Sequence, residues 1–592
     1  MKRTGAQALV DALVAEGVEL VFGILGHGNV QLGEALAEAC SRIRFVPAKH
    51  EQGAVHAALG WTRMTGKPAA VTASVGPGAT NLVTGAACAR VNRWPLLLLP
   101  GEVFADGSGP LLQQIESDHA TTANDCLRPV SKYWTRVQRP EQLKRVVREA
   151  FDAMLEPGNE GPATLCLPMD VQAEAMDLPP HWPPPRVRAP LRSAADPEAV
   201  FQAAQWIDQA ERPLLIAGGG ALRSGAMAEV RALAEALDAP VAQTQAGKGA
   251  LAWTHPLNVF ALGPTGTRAG NALAAKADVV VAIGTRLTDF ATASETAFAP
   301  DARFINVNRS WFDVGKERAW PLWGDAKATL ASLRGALPKS AAPGRRQPWR
   351  ATVDAARAAW LVEADGWRNR PGTPLRQSRA IAVVNDFASA RSVVISAAGS
   401  LPGDLQRLWR DLADDGLGYV CEYGFSTMGF EVAAGLGARL ACPDREAIVL
   451  VGDMSFLLSA QELVTAVEQQ VAYTVIVFAN RGGQSIRGLQ RGRGFQDFGM
   501  ALAAPVDFVQ LAQGMGCRGL RAATAEELKG ALDFARGERL RPTVIEVAVD
   551  PDDRIGDTGG WWDVPVPAVD ASGAPRPDRA AYLAAKAKQV LR

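Results

Sequence analysis

The sequence lacks three features that would place the protein in a special class. Its seven cysteines are scattered and form no close pair, which argues against a disulfide framework and against a zinc site. It contains no run of 18 or more apolar residues, so we expect no membrane-spanning helix. With 62 basic and 62 acidic residues it has no net charge that would attract nucleic acid or an anionic membrane. These absences predict a cytoplasmic protein that acts on a small molecule, without a nucleic-acid or membrane partner.

What the sequence does contain is a repeated alternation of apolar strands with helices, which is typical of parallel α/β sheets. The 592 residues are also too many for one hydrophobic core. Strands are predicted at 20–24, 45–47, 69–75, 95–99 and 164–167, then at 213–217, 279–283 and 303–307, and finally at 392–396, 447–451, 473–478 and 543–547. The groups indicate three separate sheets in series.

Two irregular stretches divide these groups. A proline-rich stretch at 178–190 cannot continue a regular element and predicts an extended linker, and a Ser/Ala/Pro/Gly/Arg-rich run at 339–350 predicts a second break. We therefore predict an α/β fold of three consecutive doubly wound parallel-sheet domains, at 1–185, 190–340 and 350–550. The tail, 551–592, is predicted to be irregular, then helical from about residue 579, and to pack on the third domain.

The most informative stretch runs from 446 to 481. One apolar strand ends in Gly452 and Asp453, a predicted amphipathic helix at 459–470 follows, and a second strand ends just before Asn480. Two parallel strands joined in this way would bring Asp453 and Asn480 side by side. A carboxylate, an amide oxygen and a loop carbonyl suit Mg²⁺ when phosphate oxygens complete the shell. The alternative is that Gly452 and Asp453 only cap a helix after the strand.

A second candidate is Glu51, which follows the strand at 45–47 and enters a helix of small residues. It is either a solvated acid at a helix N-terminus or a buried functional group, and the pattern alone leaves both open. A buried carboxylate would need a hydrogen-bond partner to offset its loss of hydration. An aminopyrimidine nitrogen is such a partner.

Four segments in this order resemble the acetohydroxyacid synthase superfamily of thiamine diphosphate enzymes. They are His-Glu-Gln-Gly at 50–53, Ser-Val-Gly-Pro-Gly-Ala-Thr-Asn at 74–81, Thr-Met-Gly-Phe at 427–430, and Gly-Asp at 452–453 with Asn480. The resemblance implies that the three domains are pyrimidine-binding, central and diphosphate-binding. It also implies a homodimer or homotetramer with the active site at the subunit interface.

The same resemblance implies thiamine diphosphate and Mg²⁺ as cofactors, and we expect no FAD. Glu51 would bind the N1′ nitrogen of the aminopyrimidine and so activate the thiazolium C2 carbon, while Met428 would hold the cofactor in its bent shape. The implied cofactor-binding residues are Glu51, Gly76, Ser400, Met428, Gly452, Asp453, Met454, Ser455 and Asn480. The implied metal ligands are Asp453, Asn480 and the carbonyl at Gly482.

Further segments, at 26–30, 97–105, 397–405, 422–426 and 561–565, are similar to the inositol-catabolism hydrolases that open trihydroxycyclohexane-1,2-dione. This similarity covers nearly the whole chain. It implies hydrolytic carbon-carbon cleavage of a polyhydroxylated cyclic 1,2-diketone to 5-deoxyglucuronic acid. His27 is the predicted proton shuttle and a substrate contact, with Asn29, Gln113 and Gln114 as further substrate contacts.

Two residues depart from the family pattern. Met454 replaces a glycine, and Arg481 stands where a second asparagine is common, so cofactor affinity and substrate identity stay open. One alternative function is a carboligase or 2-oxoacid lyase of the acetolactate synthase type. Another is a non-catalytic binding protein with the thiamine-enzyme fold. The glycines at 218–220 could hold a dinucleotide phosphate, but we favour a tight strand-to-helix turn because no Gly-x-Gly-x-x-Gly pattern follows.

Overall fold

The buried apolar runs of the sequence form three six-stranded sheets, and every pairing within them is parallel. The computed structural model describes residues 1–107, 113–114, 118, 120–184, 191–338 and 345–590. The predicted boundary at 185–190 and half of the predicted break at 339–350 lie outside these residues.

The first sheet has the strand order β3-β2-β4-β5-β7-β6, beside a small antiparallel pair of β1 and β8. Its strands are β1 (Lys2–Thr4), β2 (Leu20–Gly23), β3 (Arg44–Pro47), β4 (Ala69–Ala73), β5 (Leu96–Glu102), β6 (Tyr133–Arg136), β7 (Pro162–Pro168) and β8 (Ala175–Asp177). Its helices are α1 (Gly5–Ala15), α2 (Val30–Glu38), α3 (Glu51–Thr65), α4 (Pro77–Thr80), α5 (Val83–Asn92), α6 (Leu143–Met154) and α7 (Met169–Ala173).

The central sheet has the order β11-β10-β9-β12-β13-β14. Its strands are β9 (Pro213–Ala217), β10 (Val241–Gln243), β11 (Asn258–Ala261), β12 (Val279–Ile283), β13 (Arg303–Asn308) and β14 (Trp320–Trp323). Its helices are α8 (Pro197–Gln209), α9 (Gly219–Arg223), α10 (Met227–Leu237), α11 (Arg268–Ala274), α12 (Asp289–Thr292), α13 (Trp311–Val314) and α14 (Ala326–Ala336).

The third sheet has the order β16-β15-β17-β18-β20-β19. Its strands are β15 (Ser392–Ser396), β16 (Tyr419–Cys421), β17 (Glu446–Gly452), β18 (Thr474–Ala479), β19 (Arg518–Ala522) and β20 (Thr543–Ala548). The helices from here on are α15 (Gln347–Arg368), α16 (Gln377–Phe387), α17 (Leu401–Leu408), α18 (Phe430–Ala441), α19 (Asp453–Ser459), α20 (Glu462–Glu468), α21 (Gln484–Gly492), α22 (Phe508–Gly514), α23 (Ala525–Gly537) and α24 (Asp578–Lys586).

Each sheet is buried on both faces, which confirms the predicted doubly wound α/β fold. In β5, Leu96 and Leu98 enter one core while Leu97 and Leu99 enter another, as the alternation of side chains along a strand requires. The predicted strands are all present, and β9, β12 and β15 have the predicted bounds.

One core is shared by the first and third sheets. It contains Phe22, Val71 and Leu98 from the first sheet, and Val449 and Val475 from the third. Helices α3 and α18 lie between the two sheets and pack against each other. The central sheet has cores of its own.

Two predicted elements differ in detail from the structure. The helix predicted at 459–470 is present as the shorter α20, Glu462–Glu468, and a further helix that the sequence did not predict, α19, precedes it from Asp453 to Ser459. The tail is helical from Asp578 as predicted, but it packs on the central sheet's helices as well as on the third domain. Trp562 donates from Nε1 to Asp289 Oδ2 (3.2 Å), and its ring packs against Phe290 at 5.2 Å.

The glycines at 218–220 form a tight turn into α9. A Cβ on Gly220 would lie 2.8 Å from the backbone of Gly284, so the close approach of two loops explains the glycine there. None of the helices that the structure describes is long and apolar enough to cross a membrane.

Candidate active site

The predicted site residues lie at the carboxyl edges of the first and third sheets. The loops after β2, β3 and β4 carry His27, Glu51 and Gly76, and the loops after β15 to β18 carry Ser400, Met428, Asp453 and Asn480. In both sheets the strand order reverses beside one of these loops, at β2 and β4 in the first and at β15 and β17 in the third. Ligands of open α/β sheets bind at such points.

Glu51 is buried, with 8% of its surface exposed, so it is not a solvated acid, and its functional role stays a prediction. It is the first residue of α3, and the side chain of His50 caps the helix by accepting from Gln52 N. Asn81 Nδ2 donates to Glu51 Oε2 at 2.9 Å. A Cβ on Gly78 would lie 3.1 Å from Oε1. Within the described part of the chain Oε1 has no hydrogen-bond partner, which leaves it able to bind a ligand.

The loop that carries His27 lies beside the same strand ends. Gly28 N donates to Ser74 Oγ at 3.1 Å, and the His27 side chain is exposed. Asn29 is fully buried, and its amide binds Gly26 N, Ile24 O and Thr72 Oγ1. The structure therefore places Asn29 behind the loop, where it holds the backbone and faces no open space.

The two glutamines predicted to contact substrate are Gln113 and Gln114, and Gln113 lies beside Gly76. Gln113 is exposed, and its carbonyl oxygen lies 2.6 Å from where a Cβ on Gly76 would be, so only glycine fits there. Gly76 also has a positive φ of 62°, which favours glycine. Gln114 Oε1 accepts from Ala123 N at 2.7 Å, while its buried Nε2 has no partner among the residues described.

On the third sheet, the structure brings Asp453 and Asn480 together. Gly482 N donates to Asp453 Oδ2 at 3.1 Å and to Asn480 Oδ1 at 3.2 Å, so both oxygens converge on one backbone nitrogen. Burial raises the pKa of Asp453, while hydrogen bonds from the Met454 and Gly482 nitrogens act in the opposite direction. A cation beside these oxygens would compensate the buried charge.

Gly452 caps α19, and nothing lies within 4 Å of the position that its Cβ would take. The helix N-terminus therefore faces open space. Ser400 belongs to the same group, because its Oγ donates to Gln484 Oε1 at 2.6 Å and Asn480 Nδ2 donates to that oxygen at 3.2 Å. Gln484 thus joins the loops after β15 and β18.

The two departures from the family pattern leave this arrangement intact. Met454 is half-buried in the first turn of α19, and its nitrogen donates to Asp453 Oδ1 at 2.7 Å. Arg481 is exposed and has a left-handed backbone, with φ 61°. Neither side chain separates Asp453 from Asn480.

Ser455 lies in the same helix as Asp453, but its hydroxyl is used inside the protein. It accepts from Gly429 N at 2.8 Å and donates to Glu431 at 2.9 Å. Met428, next to Gly429, is 37% exposed and so presents its side chain outward.

Glu462 connects the site residues of the third domain with those of the first domain within one chain. Its carboxylate accepts from Lys49 N at 3.1 Å and from His50 N at 3.0 Å, immediately before Glu51. On α3, His56 is buried and faces Gly429 O at 3.3 Å, and burial lowers its pKa to about 4. His56 is therefore neutral at physiological pH, as befits a packing residue without a chemical role.

Sequence reasoning missed four residues that organise this site: Asn81, Glu422, Glu431 and Gln484. Asn81 ends the segment at 74–81, so its place in that motif was a usable signal. Glu422 begins the segment at 422–426, so that resemblance was a usable signal as well, whereas Glu431 and Gln484 act through hydrogen bonds to distant segments and no local pattern marks them.

Three family models match the chain. The N-terminal TPP binding domain of thiamine pyrophosphate enzymes matches residues 3–122, the central domain of these enzymes matches residues 200–333, and the C-terminal TPP binding domain matches residues 397–547. Glu51 lies in the first match, and Asp453 and Asn480 lie in the third.

Several curated proteins named 3D-(3,5/4)-trihydroxycyclohexane-1,2-dione hydrolase are similar to the chain over most of its length. The protein of Bacillus velezensis is 39% identical over 594 residues, which cover 95% of this chain and 93% of the relative. The protein of Bacillus licheniformis is 39% identical and that of Bacillus subtilis 38% identical, each over 599 residues, with the same two coverages.

Proposed function

This chain belongs to the thiamine pyrophosphate enzyme family, and we propose that it hydrolyses a carbon-carbon bond of trihydroxycyclohexane-1,2-dione. The observation that carries the proposal is the identity of 38–39%, over 95% of the chain, to proteins named for this hydrolysis. The reaction would open the ring of a polyhydroxylated cyclic diketone and belongs to inositol catabolism.

The residues at the site fit thiamine diphosphate. Glu51 is a buried residue whose Oε1 is free to bind the aminopyrimidine, and the open space at Gly452 fits a diphosphate at the N-terminus of α19. The converging oxygens of Asp453 and Asn480, with a carbonyl at Gly482, make a hard donor set that would hold Mg²⁺. When bound, thiamine diphosphate supplies a nucleophilic carbon that adds to a carbonyl group of the substrate.

The protein's own residues bind, orient and move protons. Glu51 exchanges a proton at Oε1 with the aminopyrimidine nitrogen, while Asn81 holds Oε2 and so fixes the direction of Oε1. His27, exposed on its loop, transfers a proton to or from a substrate oxygen. Gln113 and Gln114 bind the ring hydroxyls.

We further propose that two copies of the chain form the active unit, as a homodimer or as half of a homotetramer. Large apolar side chains are exposed beside both halves of the site, and a second copy would cover them. They are Leu25, Val30, Met428, Leu457 and Leu458. Analytical ultracentrifugation tests this point, since a monomer at micromolar concentration would contradict it.

A cytoplasmic location completes the proposal. The seven cysteines are all free, as is typical of proteins in a reducing compartment.

The test is to incubate the purified protein with thiamine diphosphate, Mg²⁺ and trihydroxycyclohexane-1,2-dione and to follow the products by mass spectrometry. We expect loss of the diketone and an open-chain acid that has gained one water molecule. Acyloin formation from pyruvate without ring opening would contradict the proposal and favour a carboligase.

Three variants make the test specific. Glu51→Gln should bind the cofactor but lose most turnover, by about a hundredfold or more, because general acid-base catalysis is lost. Asp453→Ala should lose cofactor binding. Glu38→Gln, an exposed carboxylate that binds only Gln7 in the structure, should retain full activity.

A further inference from the structure

The segment 422–430 carries Met428 between β16 and α18, and its backbone needs to be held in place. Ser426 has φ 58° and Gly429 has φ 85°, so the chain enters the left-handed region on both sides of Met428. For Ser426, which has a Cβ, this conformation is unfavourable, and surrounding interactions must maintain it.

Glu422 holds the first part of this segment. Its side chain is fully buried and accepts three hydrogen bonds. Oε1 accepts from Phe425 N and from Asn92 Nδ2, each at 2.8 Å, and Oε2 accepts from Thr427 N at 2.6 Å. Asn92 is itself fixed on α5, because it also donates to Cys88 O at 2.9 Å.

Glu431 holds the end of the segment through Ser455. Glu431 is 1% exposed, and both of its oxygens lie within 3.0 Å of Ser455 Oγ. Ser455 Oγ in turn accepts from Gly429 N at 2.8 Å. The backbone N–H groups on either side of Met428 are therefore both held by a buried carboxylate. Thr427 N donates to Glu422 directly, and Gly429 N donates to the Ser455 hydroxyl, which in turn donates to Glu431.

We infer that Glu422 and Glu431 are positioning residues that fix Met428 against the bound cofactor. The inference rests on the proposed function and deepens it. Since Ser455 lies two positions after Asp453, Glu431 also ties the Met428 segment to the helix that begins at the diphosphate and metal group. Released from these carboxylates, Met428 would no longer support the cofactor in its reactive shape.

Glutamine substitution distinguishes the two carboxylates. Glu422 uses both oxygens as acceptors, whereas a glutamine has only one, so Glu422→Gln leaves one buried N–H facing another donor. The Ser455 hydroxyl is the side chain that donates to Glu431, and the backbone N–H groups of Glu431 and Gly429 also favour its charged form, so Glu431→Gln keeps an acceptor for the hydroxyl and Glu431→Ala loses it. Glu431→Gln is therefore the conservative control.

The test measures exchange of the thiazolium C2 proton with deuterium in bound thiamine diphosphate, by quenched-flow NMR, together with cofactor affinity by fluorescence titration. We expect exchange to slow about tenfold in Glu422→Gln and Glu431→Ala, the effect of one lost buried hydrogen bond, with affinity changed less than about threefold. Glu431→Gln should exchange like the wild type. In the cofactor-free protein, the backbone amides of residues 422–430 should exchange faster in Glu422→Gln and Glu431→Ala than in the wild type, and Glu431→Gln should not differ from the wild type.

Wild-type C2 exchange in both Glu422→Gln and Glu431→Ala, beside normal ring opening by the wild type, would overturn this inference and leave the proposed function standing. Failure of the wild type to bind thiamine diphosphate would overturn both. If Glu422→Gln does not fold, Ser455→Ala tests the inference in its place. It removes the link to Gly429 N and keeps both carboxylates, so it should slow C2 exchange, and unchanged exchange would overturn the inference.

Discussion

At the residue scale, the backbone conformation of Arg481 is unfavourable for arginine, and one substitution should remove this energetic cost. Its φ of 61° lies in the left-handed region, where asparagine is tolerated better than arginine, and its exposed side chain forms no hydrogen bond or ion pair with any residue that the structure describes. We expect Arg481→Asn to stabilise the protein by about 1 kcal/mol, measured as a higher midpoint of thermal unfolding.

The matched control is Arg334→Asn, in the last turn of α14, where the backbone is helical. There the same change should lower the midpoint, since asparagine has a lower helix propensity. A lower midpoint for Arg481→Asn would show that the arginine side chain contributes more than its backbone costs.

Glu431 makes stability depend on pH. Burial, with a smaller contribution from Glu422, raises the pKa of Glu431 from 4.5 to about 7. Between these values the unfolded chain releases the proton and the folded protein retains it, so stability falls as pH rises and the loss is complete above pH 7. Glu431→Gln cannot ionise, so its advantage in unfolding free energy should grow over this range to at most about 3 kcal/mol.

Thermal unfolding from pH 4.5 to 8 measures this difference. Glu538→Gln provides a control of opposite sign, because a hydrogen bond from Arg518 lowers the pKa of Glu538 to about 2. That stabilisation is fully present above pH 4.5 and is lost toward pH 2, so Glu538→Gln should be less stable than the wild type by a constant amount from pH 4.5 to 8. A pH-independent difference for Glu431→Gln would contradict the prediction.

The sequence could predict those site residues that end strands. Asp453 and Asn480 each follow a buried strand and Glu51 follows the edge strand β3, so topology alone brings all three to the carboxyl ends of their sheets. It could not predict the hydrogen bonds that aim them, such as Asn81 to Glu51, or the commitment of Ser455 to Glu431, because these partners are set by the packing of distant elements.

At the element scale, the contact between α3 and α18 depends on glycine. A Cβ on Gly437 would lie 1.8 Å from Ala57 O, and a Cβ on Gly60 would lie 2.3 Å from Ala434 O. Because backbone meets backbone here, no side chain can move aside. Gly437→Ala should therefore destabilise the protein by about 2 kcal/mol or more, as overpacking of a core does.

Denaturant unfolding measures this effect against Gly366→Ala in α15. Nothing lies within 4 Å of the Cβ position of Gly366, so alanine there should stabilise the helix by about 0.5–1 kcal/mol. Equal effects of the two substitutions would mean that α3 and α18 can separate at little cost.

Strand prediction succeeded for most central, apolar strands and failed at most sheet edges. The edge strands β6, β11, β14, β16 and β19 were missed, as were the short interior strand β10 and the small pair β1 and β8, whereas the edge strand β3 was predicted. The helix predicted at 459–470 was found as the shorter α20, but the burial of its first residue could not be predicted. Glu462 is buried because it binds the backbone of Lys49 and His50 in another domain, and no local pattern records that contact.

At the scale of the whole molecule, the shared core predicts how fragments behave. Residues 191–358 contain the central sheet and the cores that cover both its faces, so we expect this fragment to fold alone. Residues 1–184 lack the partner of α3 and would expose its apolar face, so we expect them to aggregate or remain unfolded.

Circular dichroism and the dispersion of NMR amide signals test both fragments. A cooperative thermal transition in the 191–358 fragment and its absence in the 1–184 fragment are the expected results. A well-dispersed spectrum from 1–184 would show that its second core, around Phe151, suffices for folding.

The core shared by the first and third sheets also constrains how such a protein can diversify. Recombination between two relatives that exchanged only the first domain would pair an α3 from one lineage with an α18 from another, and their glycines would have to match at each close approach. The central domain is restricted mainly at its surface, where a Cβ on Gly560 of the tail would lie 2.1 Å from Gly263 O, whereas most of its interior is formed by its own residues. Inheritance should therefore couple the outer two domains through their shared interior, while exchange of the middle one need preserve only its surface contacts.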